Sequence, residues 1–310
     1  MKFFARNNRQ GKVGIELDPY GLAVASLRPG ADSARLQCRA DYLEGISIQA
    51  SGQALRVLVR AHVLERLPCS VVLHPSYYNL HLVQRPDVED HEVGDAVKWT
   101  LKDQLDSSLD DYVVDAFPVP EDAFSNSQRM VYAVAARRDM LESVTAVVKA
   151  ARLKLEKIQI AELANTNIVD MAEKEAGSTA LLRLRKSAGS IVLSDHGDIY
   201  LARYLDQGMA MLEGADLETQ YRVMDELLLD IQRSLDYYDS QLRKGRVRNF
   251  LMAPTQIVSE RITHFLQDNL NVRVSVLDLN ELFDTGEGLP ADLQSVCFGA
   301  IGAAAEEIVH

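Results

Sequence analysis

The sequence predicts the same order of structural elements twice, and this duplication limits the folds that the chain can adopt. The first copy predicts strand, strand, strand, helix and strand, at residues 13–18, 21–27, 35–43, 53–67 and 69–73. The second copy predicts the same order, at residues 179–184, 190–194, 199–205, 217–244 and 248–253. A supersecondary unit that occurs twice predicts two related α/β halves.

The residues between the two copies predict a separate small subdomain. Its elements alternate strand, helix, strand, strand, helix and strand, at 78–84, 89–105, 112–119, 129–136, 138–153 and 155–160. A helix at 161–175 then leads into the second copy, which ends in a helix, a strand and a Gly- and Ala-rich helix at 259–269, 272–277 and 292–308. We therefore expect a flexible N-terminus, a first half, an inserted α+β subdomain, a connecting helix and a second half, at 1–10, 11–76, 77–160, 161–176 and 177–310.

Composition excludes several functional classes. The 310 residues carry a formal net charge of −12, which disfavours nucleic acid as a partner. The basic cluster Arg243, Lys244, Arg246 and Arg248 falls at a predicted helix end, where cations complement the helix dipole. The three cysteines and seven histidines show no metal-ligand spacing, so we expect no metal site. No stretch approaches the ~20 apolar residues of a membrane span, and free thiols suit a reducing compartment, so we expect a cytoplasmic protein.

Four segments resemble the PilM family of type IV pilus assembly proteins. They read VGIELD, AVKW with YVVD, VAARR and DIQRSLDYYDSQ, at 13–18, 96–99 with 112–115, 134–138 and 230–241. The duplicated plan with its insert resembles the actin-like ATPase (ribonuclease H-like) fold, in the variant with the small α+β subdomain of FtsA and PilM. Within the family, the length and the early Asp-Pro-Tyr-Gly turn most resemble the members that serve MSHA pili.

The resemblance places the nucleotide loops of an actin-like ATPase at positions where this chain has altered residues. Such a site needs free backbone N–H groups for phosphates and an acidic group for Mg²⁺. The first loop carries Glu16, Asp18 and Pro19, and proline removes a donor. The second loop has Arg183 where the family has an acidic residue, and the expected adenosine turn becomes Ala253 and a proline. The altered positions are Glu16, Asp18, Arg183, Ser187 and Ala253. We expect a pseudo-ATPase with no cofactor; ATP with Mg²⁺ belongs to the alternative, an ATPase with atypical loops.

The resemblance also implies a protein partner. PilM-like proteins accept the cytoplasmic tail of a PilN-like inner-membrane protein in a groove between the first half and the inserted subdomain. The candidate groove residues are Tyr77, Tyr78, Leu80 and Trp99, and each could instead belong to the subdomain core. For Val97 and Leu101 the core is favoured. The implied role is a scaffold at the cytoplasmic face of the inner membrane that contacts other pilus assembly proteins. A filament formed by self-association remains a third alternative.

Overall fold

The computed structural model describes residues 11–30, 35–124, 129–172, 177–255 and 259–309. The predicted flexible N-terminus, residues 1–10, lies outside them. Within the described residues the chain forms two five-stranded sheets and one three-stranded sheet. This mixed α/β plan, with one five-stranded sheet in each copy, agrees with the duplication expected from the sequence.

The first five-stranded sheet combines antiparallel and parallel pairing around a buried central strand. Its strands are β1 (Lys12–Asp18), β2 (Gly21–Arg28), β3 (Gln37–Glu44), β4 (Pro68–Leu73) and β8 (Lys154–Ile160). Their order is β3-β2-β1-β4-β8, so the last strand enters after the inserted subdomain. Helices α1 (Ile48–Ala61) and α3 (Arg138–Ala150) pack on one face of this sheet. β1 is apolar along most of its length because both faces of this central strand are covered.

The second five-stranded sheet repeats this topology. Its strands are β9 (Thr179–Leu184), β10 (Gly189–Asp195), β11 (Asp198–Leu205), β12 (Asn249–Met252) and β13 (Val274–Val276). Their order, β11-β10-β9-β12-β13, matches the order of the first sheet strand for strand. Helices α5 (Leu217–Asp236) and α6 (Ser259–Asn269) belong to this half, followed by the short α7 (Leu279–Leu282).

The inserted subdomain is a three-stranded antiparallel sheet with one covering helix. Strands β5 (Tyr78–Gln84), β7 (Met130–Arg137) and β6 (Tyr112–Pro118) lie in that order, and α2 (Val93–Thr100) packs over β6 and β7. The opposite face of this sheet contacts both halves: Leu80 and Phe117 pack against the cores of the first and the second half.

Two helices lie between the halves and approach their neighbours closely. They are α4 (Ala161–Ala172) and α8 (Ala291–Val309). A Cβ on Gly14 would stand 1.8 Å from the carbonyl oxygen of Ala300, and one on Gly302 would stand 2.1 Å from that of Ala164. Small residues therefore allow α8 to lie directly on β1 and on α4. This is the close approach that the Gly- and Ala-rich sequence indicates.

Most predicted elements are present. The helix and strand predicted at 138–153 and 155–160 as the last elements of the insert pack instead with the first half, as α3 and β8, and other differences lie at helix ends. The helix predicted at 53–67 spans Ile48–Ala61, because the chain turns at Val63, whose φ is +55°. The helix predicted at 89–105 keeps only the eight residues of α2 as α-helix, with 3₁₀ turns on both sides. The helix predicted at 217–244 changes at Tyr237–Gln241 into a π-helical turn.

Candidate functional site

A cleft between the two halves forms the first candidate site. It encloses about 460 Å³ and is bounded by the β1–β2 turn, the β9–β10 turn and the first turns of α8. Its charged lining residues are Glu16, Asp18, Glu44, Arg183, Arg185, Lys186, Glu213 and Asp292. The sequence-predicted loop positions Glu16, Asp18 and Arg183 therefore meet in one cavity.

The β1–β2 turn directs few donors into this cleft. Asp18 pairs with Gly21 across the hairpin, so Pro19 and Tyr20 form the two-residue loop. Pro19 has no N–H, and the N–H of Tyr20 donates to Oδ1 of Asp18 at 2.6 Å. Burial, reinforced by the nearby Glu16, raises the pKa of Asp18 to about 6. Proline and an internal hydrogen bond thus remove both loop amides as phosphate donors.

Glu16 and Arg183 form a buried ion pair across the cleft. Nη2 of Arg183 donates to Oε2 of Glu16 at 2.9 Å, and the two side chains are 5% and 2% exposed. Nη1 of Arg183 also donates to Asn165 on α4, and its guanidinium lies 5.5 Å from the ring centroid of Phe298 on α8. Burial alone would raise the pKa of Glu16, but Arg183 and Arg185 hold it below its usual value. The pair therefore joins the first half to the second.

The second turn places two further cations at the cleft. Nε of Arg185 lies 3.9 Å from Oε1 of Glu16, and the Arg185 side chain is largely buried. Nζ of Lys186 lies 4.7 Å from the ring centroid of Tyr20, which brings the two turns into contact at the cleft mouth. His74 also lines the cleft, and burial together with Arg185 lowers its pKa to about 4. The imidazole is therefore neutral at pH 7.

The remaining loop positions lie apart from this cluster. Ser187 is exposed at the tip of the β9–β10 turn, and Ala253 is buried in the core beside α8.

The segment that follows β11 packs against the β9–β10 turn: the N–H groups of Met209 and Ala210 donate to the carbonyls of Arg185 and Lys186, both at 2.9 Å.

The cleft differs in charge and in free amides from the nucleotide site that the resemblance implies. Glu16, the acidic group of the first loop, is neutralised by Arg183. Arg183 itself occupies the matching position in the second half. The amides of the first turn are absent or already bonded. Within the described residues, no group of three or more His, Cys, Asp or Glu side chains could hold a metal ion.

A groove between the first half and the inserted subdomain forms the second candidate site. It encloses about 450 Å³ and is lined by residues of α1, α3 and all three strands of the small sheet. Tyr77 and Tyr78 are among these residues, and Tyr78 is also buried in the core of the first half. Arg137 and Asp139 also line it and form a two-point ion pair, with N–O distances of 3.2 and 3.1 Å. The groove thus combines apolar and tyrosine surface with charged groups.

Two candidate groove residues lie elsewhere. Leu80 is half-buried beneath the small sheet, because strand alternation turns it toward the cores of the two halves. Trp99 lies on α2, is 72% exposed and does not line the groove. Val97 and Leu101 are buried in the core between α2 and the sheet, as their helical spacing indicates.

Sequence reasoning missed a buried polar cluster behind the groove. The hydroxyl of Tyr78 donates to Oε2 of Glu162 at 2.5 Å, and the partly exposed Tyr204 on β11 lies near this pair. An acidic residue at the second position of a connecting helix ordinarily indicates a favourable helix-dipole interaction at the surface. The sequence contains no signal that would distinguish a buried Glu162 from such a residue.

One residue of the basic cluster at 243–248, Lys244, contacts the inserted subdomain. Lys244 forms an ion pair with Asp122 of the inserted subdomain, and its Nζ lies 4.5 Å from the ring centroid of Tyr200. Tyr200 itself donates to Oδ1 of Asp122 at 3.1 Å. Lys244 therefore helps to fasten the insert to the second half.

No helix among the described residues is long and apolar enough to cross a membrane.

Comparison with known proteins gives similarity at the level of the fold. No family model and no curated protein sequence matches the chain. A solved PilM–PilN type IV pilus biogenesis complex contains a chain 19% identical to this one, with a TM-score of 0.73, covering 97% of this chain and 99% of that one.

Two further structures share the architecture. The cytoplasmic domain of EpsL, an inner-membrane component of the Vibrio cholerae type II secretion system, is 12% identical with a TM-score of 0.52, covering 96% of this chain and 94% of that one. A Bacteroides thetaiotaomicron protein with an actin-like ATPase fold and unknown function is 11% identical with a TM-score of 0.53, covering 96% and 99%. The chain therefore has the duplicated actin-like ATPase fold, in a form that resembles PilM along its whole length.

Proposed function

We propose that this protein is a non-catalytic, actin-like component of a type IV pilus machine that binds the cytoplasmic tail of a PilN-like inner-membrane protein. The observation that carries the proposal is the groove between the first half and the inserted subdomain, within a fold that matches the PilM chain of a PilM–PilN complex over 97% of its length. The protein would then act at the cytoplasmic face of the inner membrane. Among PilM-like proteins, the altered loops favour MshI of the MSHA pilus.

The groove suits an extended peptide. Grooves of this kind hold short segments through backbone hydrogen bonds and pockets for side chains. Tyr77 is partly exposed at the groove and supplies an aromatic surface, while Arg137 and Asp139 offer one charge of each sign at its edge. The residues that line the groove are therefore distinct from those that line the cleft.

Titration with a fluorescent synthetic peptide that matches a PilN-like cytoplasmic tail tests the proposal. We expect saturable binding that Tyr77→Ala weakens at least tenfold, because aromatic anchors dominate such interfaces. Trp99→Ala provides the matched control, since this exposed aromatic lies outside the groove, and should change affinity less than twofold. A peptide that fails to bind the wild-type protein at several hundred micromolar would contradict the function.

We further propose that the cleft binds no nucleotide. The proposal is supported by the Glu16–Arg183 pair and by the lack of free amides in the β1–β2 turn. Calorimetric titration with Mg·ATP should give no saturable heat. Micromolar binding that Arg183→Ala or Glu16→Ala weakens would instead support the alternative, an ATPase with atypical loops.

A further inference from the structure

The buried cluster behind the groove joins three parts of the molecule. Tyr78 belongs to the inserted subdomain, Glu162 to helix α4 and Tyr204 to the sheet of the second half. The Tyr78 hydroxyl donates to Glu162 at 2.5 Å and accepts from the N–H of Ala161 at 3.3 Å. Glu162 is almost completely buried. Because a buried acidic group needs hydrogen-bond partners, those partners restrict the position of its side chain.

The same cluster extends to the cleft through Arg185. Burial raises the pKa of Glu162, and the hydrogen bond from Tyr78 and the nearby charge of Arg185 oppose that rise. Arg185 is close enough to both Glu162 and Glu16 for its charge to act on each carboxylate, and its Nε lies 3.9 Å from Oε1 of Glu16. Arg185 therefore acts electrostatically on both the cleft and the cluster behind the groove wall.

We propose that Glu162 is a positioning residue for partner binding, which fixes the Tyr78 wall of the groove and is itself supported by Arg185. This inference rests on the proposed function, in which the groove accepts the partner's tail. The altered cleft then has a structural role. Its side chains lie where an actin-like ATPase would hold nucleotide, and they support the groove from behind. A groove wall that a buried hydrogen bond already holds in place loses less conformational entropy when the peptide binds.

Variants that keep the side-chain volume but change its hydrogen-bonding groups separate positioning from packing. Tyr78→Phe keeps the ring and removes only the hydroxyl, whereas Glu162→Met keeps the approximate volume and removes the acceptor. Glu162→Gln retains an acceptor for the Tyr78 hydroxyl. With the fluorescent PilN-like tail peptide, we expect Tyr78→Phe and Glu162→Met each to weaken binding about tenfold. The affinity of Glu162→Gln for the peptide should remain within threefold of wild type. The double variant, Tyr78→Phe with Glu162→Met, should bind the peptide at least as tightly as the single variant with the lower affinity.

Arg185 tests the contribution of the cleft. Arg185→Met removes a charge that lies outside the groove lining, and we expect it to weaken peptide binding about threefold. Unchanged affinity in this variant would overturn the contribution of the cleft. Folded Tyr78→Phe and Glu162→Met variants that bind as tightly as wild type would overturn the positioning role itself.

Hydrogen exchange without any peptide tests positioning independently of partner binding. In Tyr78→Phe and Glu162→Met, amides of residues 77–80 and 135–137 should exchange at least tenfold faster, while those of 227–235 in α5 should not change. An equal increase in both regions would indicate general destabilisation and overturn the inference, as would no increase in either. If the wild-type protein failed to bind the peptide, the proposed function would fail, and this local increase would still decide whether Glu162 fixes the wall.

Discussion

The first strands of the two halves end in the same pattern with opposite charges. β1 ends with Glu16, Leu17 and Asp18, whereas β9 ends with Arg183 and Leu184 and is followed by Arg185. Both strands lie at the centre of sheets with the same strand order, and the four charged residues all line the cleft. Duplication thus created two equivalent positions, and the sequence made them complementary.

The difference between the two strand ends teaches how the halves are held together. Two acidic ends would repel each other unless a cation lay between them. With arginines in the second half, the chain bridges its own cleft through the Glu16–Arg183 ion pair and the contact of Lys186 with Tyr20. Altering either strand end should therefore affect the stability of the whole molecule.

Removing the arginine of the buried pair should have the largest effect. Arg183→Met leaves the Glu16 carboxylate buried without its closest counter-charge, so we expect the free energy of unfolding to fall by about 3–5 kcal/mol. Urea unfolding at pH 7 measures this loss. Arg222→Met, which breaks the exposed pair between Arg222 and Glu226, is the control and should cost less than about 1 kcal/mol.

The double variant shows whether the charge itself is responsible. Replacing both partners, as in Glu16→Met with Arg183→Met, removes the unpaired charge and should recover most of the lost stability. If Arg183→Met were no more harmful than Arg222→Met, the ion pair would not hold the halves together.

Neutralising Asp18 should stabilise the protein above pH 6. The pKa of Asp18 is raised to about 6 in the folded state from an ordinary value of 3.8, so the folded protein binds this proton more tightly than the unfolded chain. Stability therefore falls as the pH rises from about 4 to 6, by up to about 3 kcal/mol, and this cost persists at higher pH. Asp18→Asn avoids the cost, and its amide oxygen can still accept from the N–H of Tyr20.

Thermal unfolding at pH 4, 6 and 8 tests this effect. The melting temperature of Asp18→Asn should exceed that of wild type most at pH 8 and least at pH 4. A constant difference across this range would show that Asp18 does not titrate near pH 6.

The contact at the cleft mouth should contribute least. Lys186→Met removes the cation that lies over the Tyr20 ring, and because Lys186 is exposed we expect a loss of about 0.5 kcal/mol. Urea unfolding compares it with Lys102→Met, an exposed lysine of the inserted subdomain that should have no measurable effect. If the two variants were equally stable, only the buried Glu16–Arg183 pair would hold the halves together, and the Lys186–Tyr20 contact would not contribute.

Local pattern was enough to predict the strands, and the resemblance to PilM-like proteins indicated Glu16, Asp18 and Arg183 as loop residues. The buried strands β1 and β9 follow from largely apolar sequence that buried charged residues such as Glu16 and Arg183 interrupt, and the turn between β1 and β2 follows from its Asp-Pro-Tyr-Gly residues. Helix ends were predicted less well, because α1 ends at a left-handed turn near Val63 that contains no glycine.

The groove shows where pattern fails. Tyr78, Leu80 and Trp99 are all large apolar or aromatic residues of the inserted subdomain, yet the fold packs Tyr78 and Leu80 against the core of the first half and leaves Trp99 in solvent. Which face of a sheet is covered, and by what, depends on contacts with distant parts of the chain.

The sequence by itself determined the duplication and the order of the strands along the chain, because these depend on periodicity and on residue chemistry at adjacent positions, and its resemblance to PilM-like proteins identified the altered loop residues. Only the tertiary structure decided that Glu16 meets Arg183, 167 residues away, and that Tyr78 meets Glu162 on the connecting helix. Such pairs form when packing brings together polar groups that could not otherwise be buried, and residue spacing does not record which groups will meet.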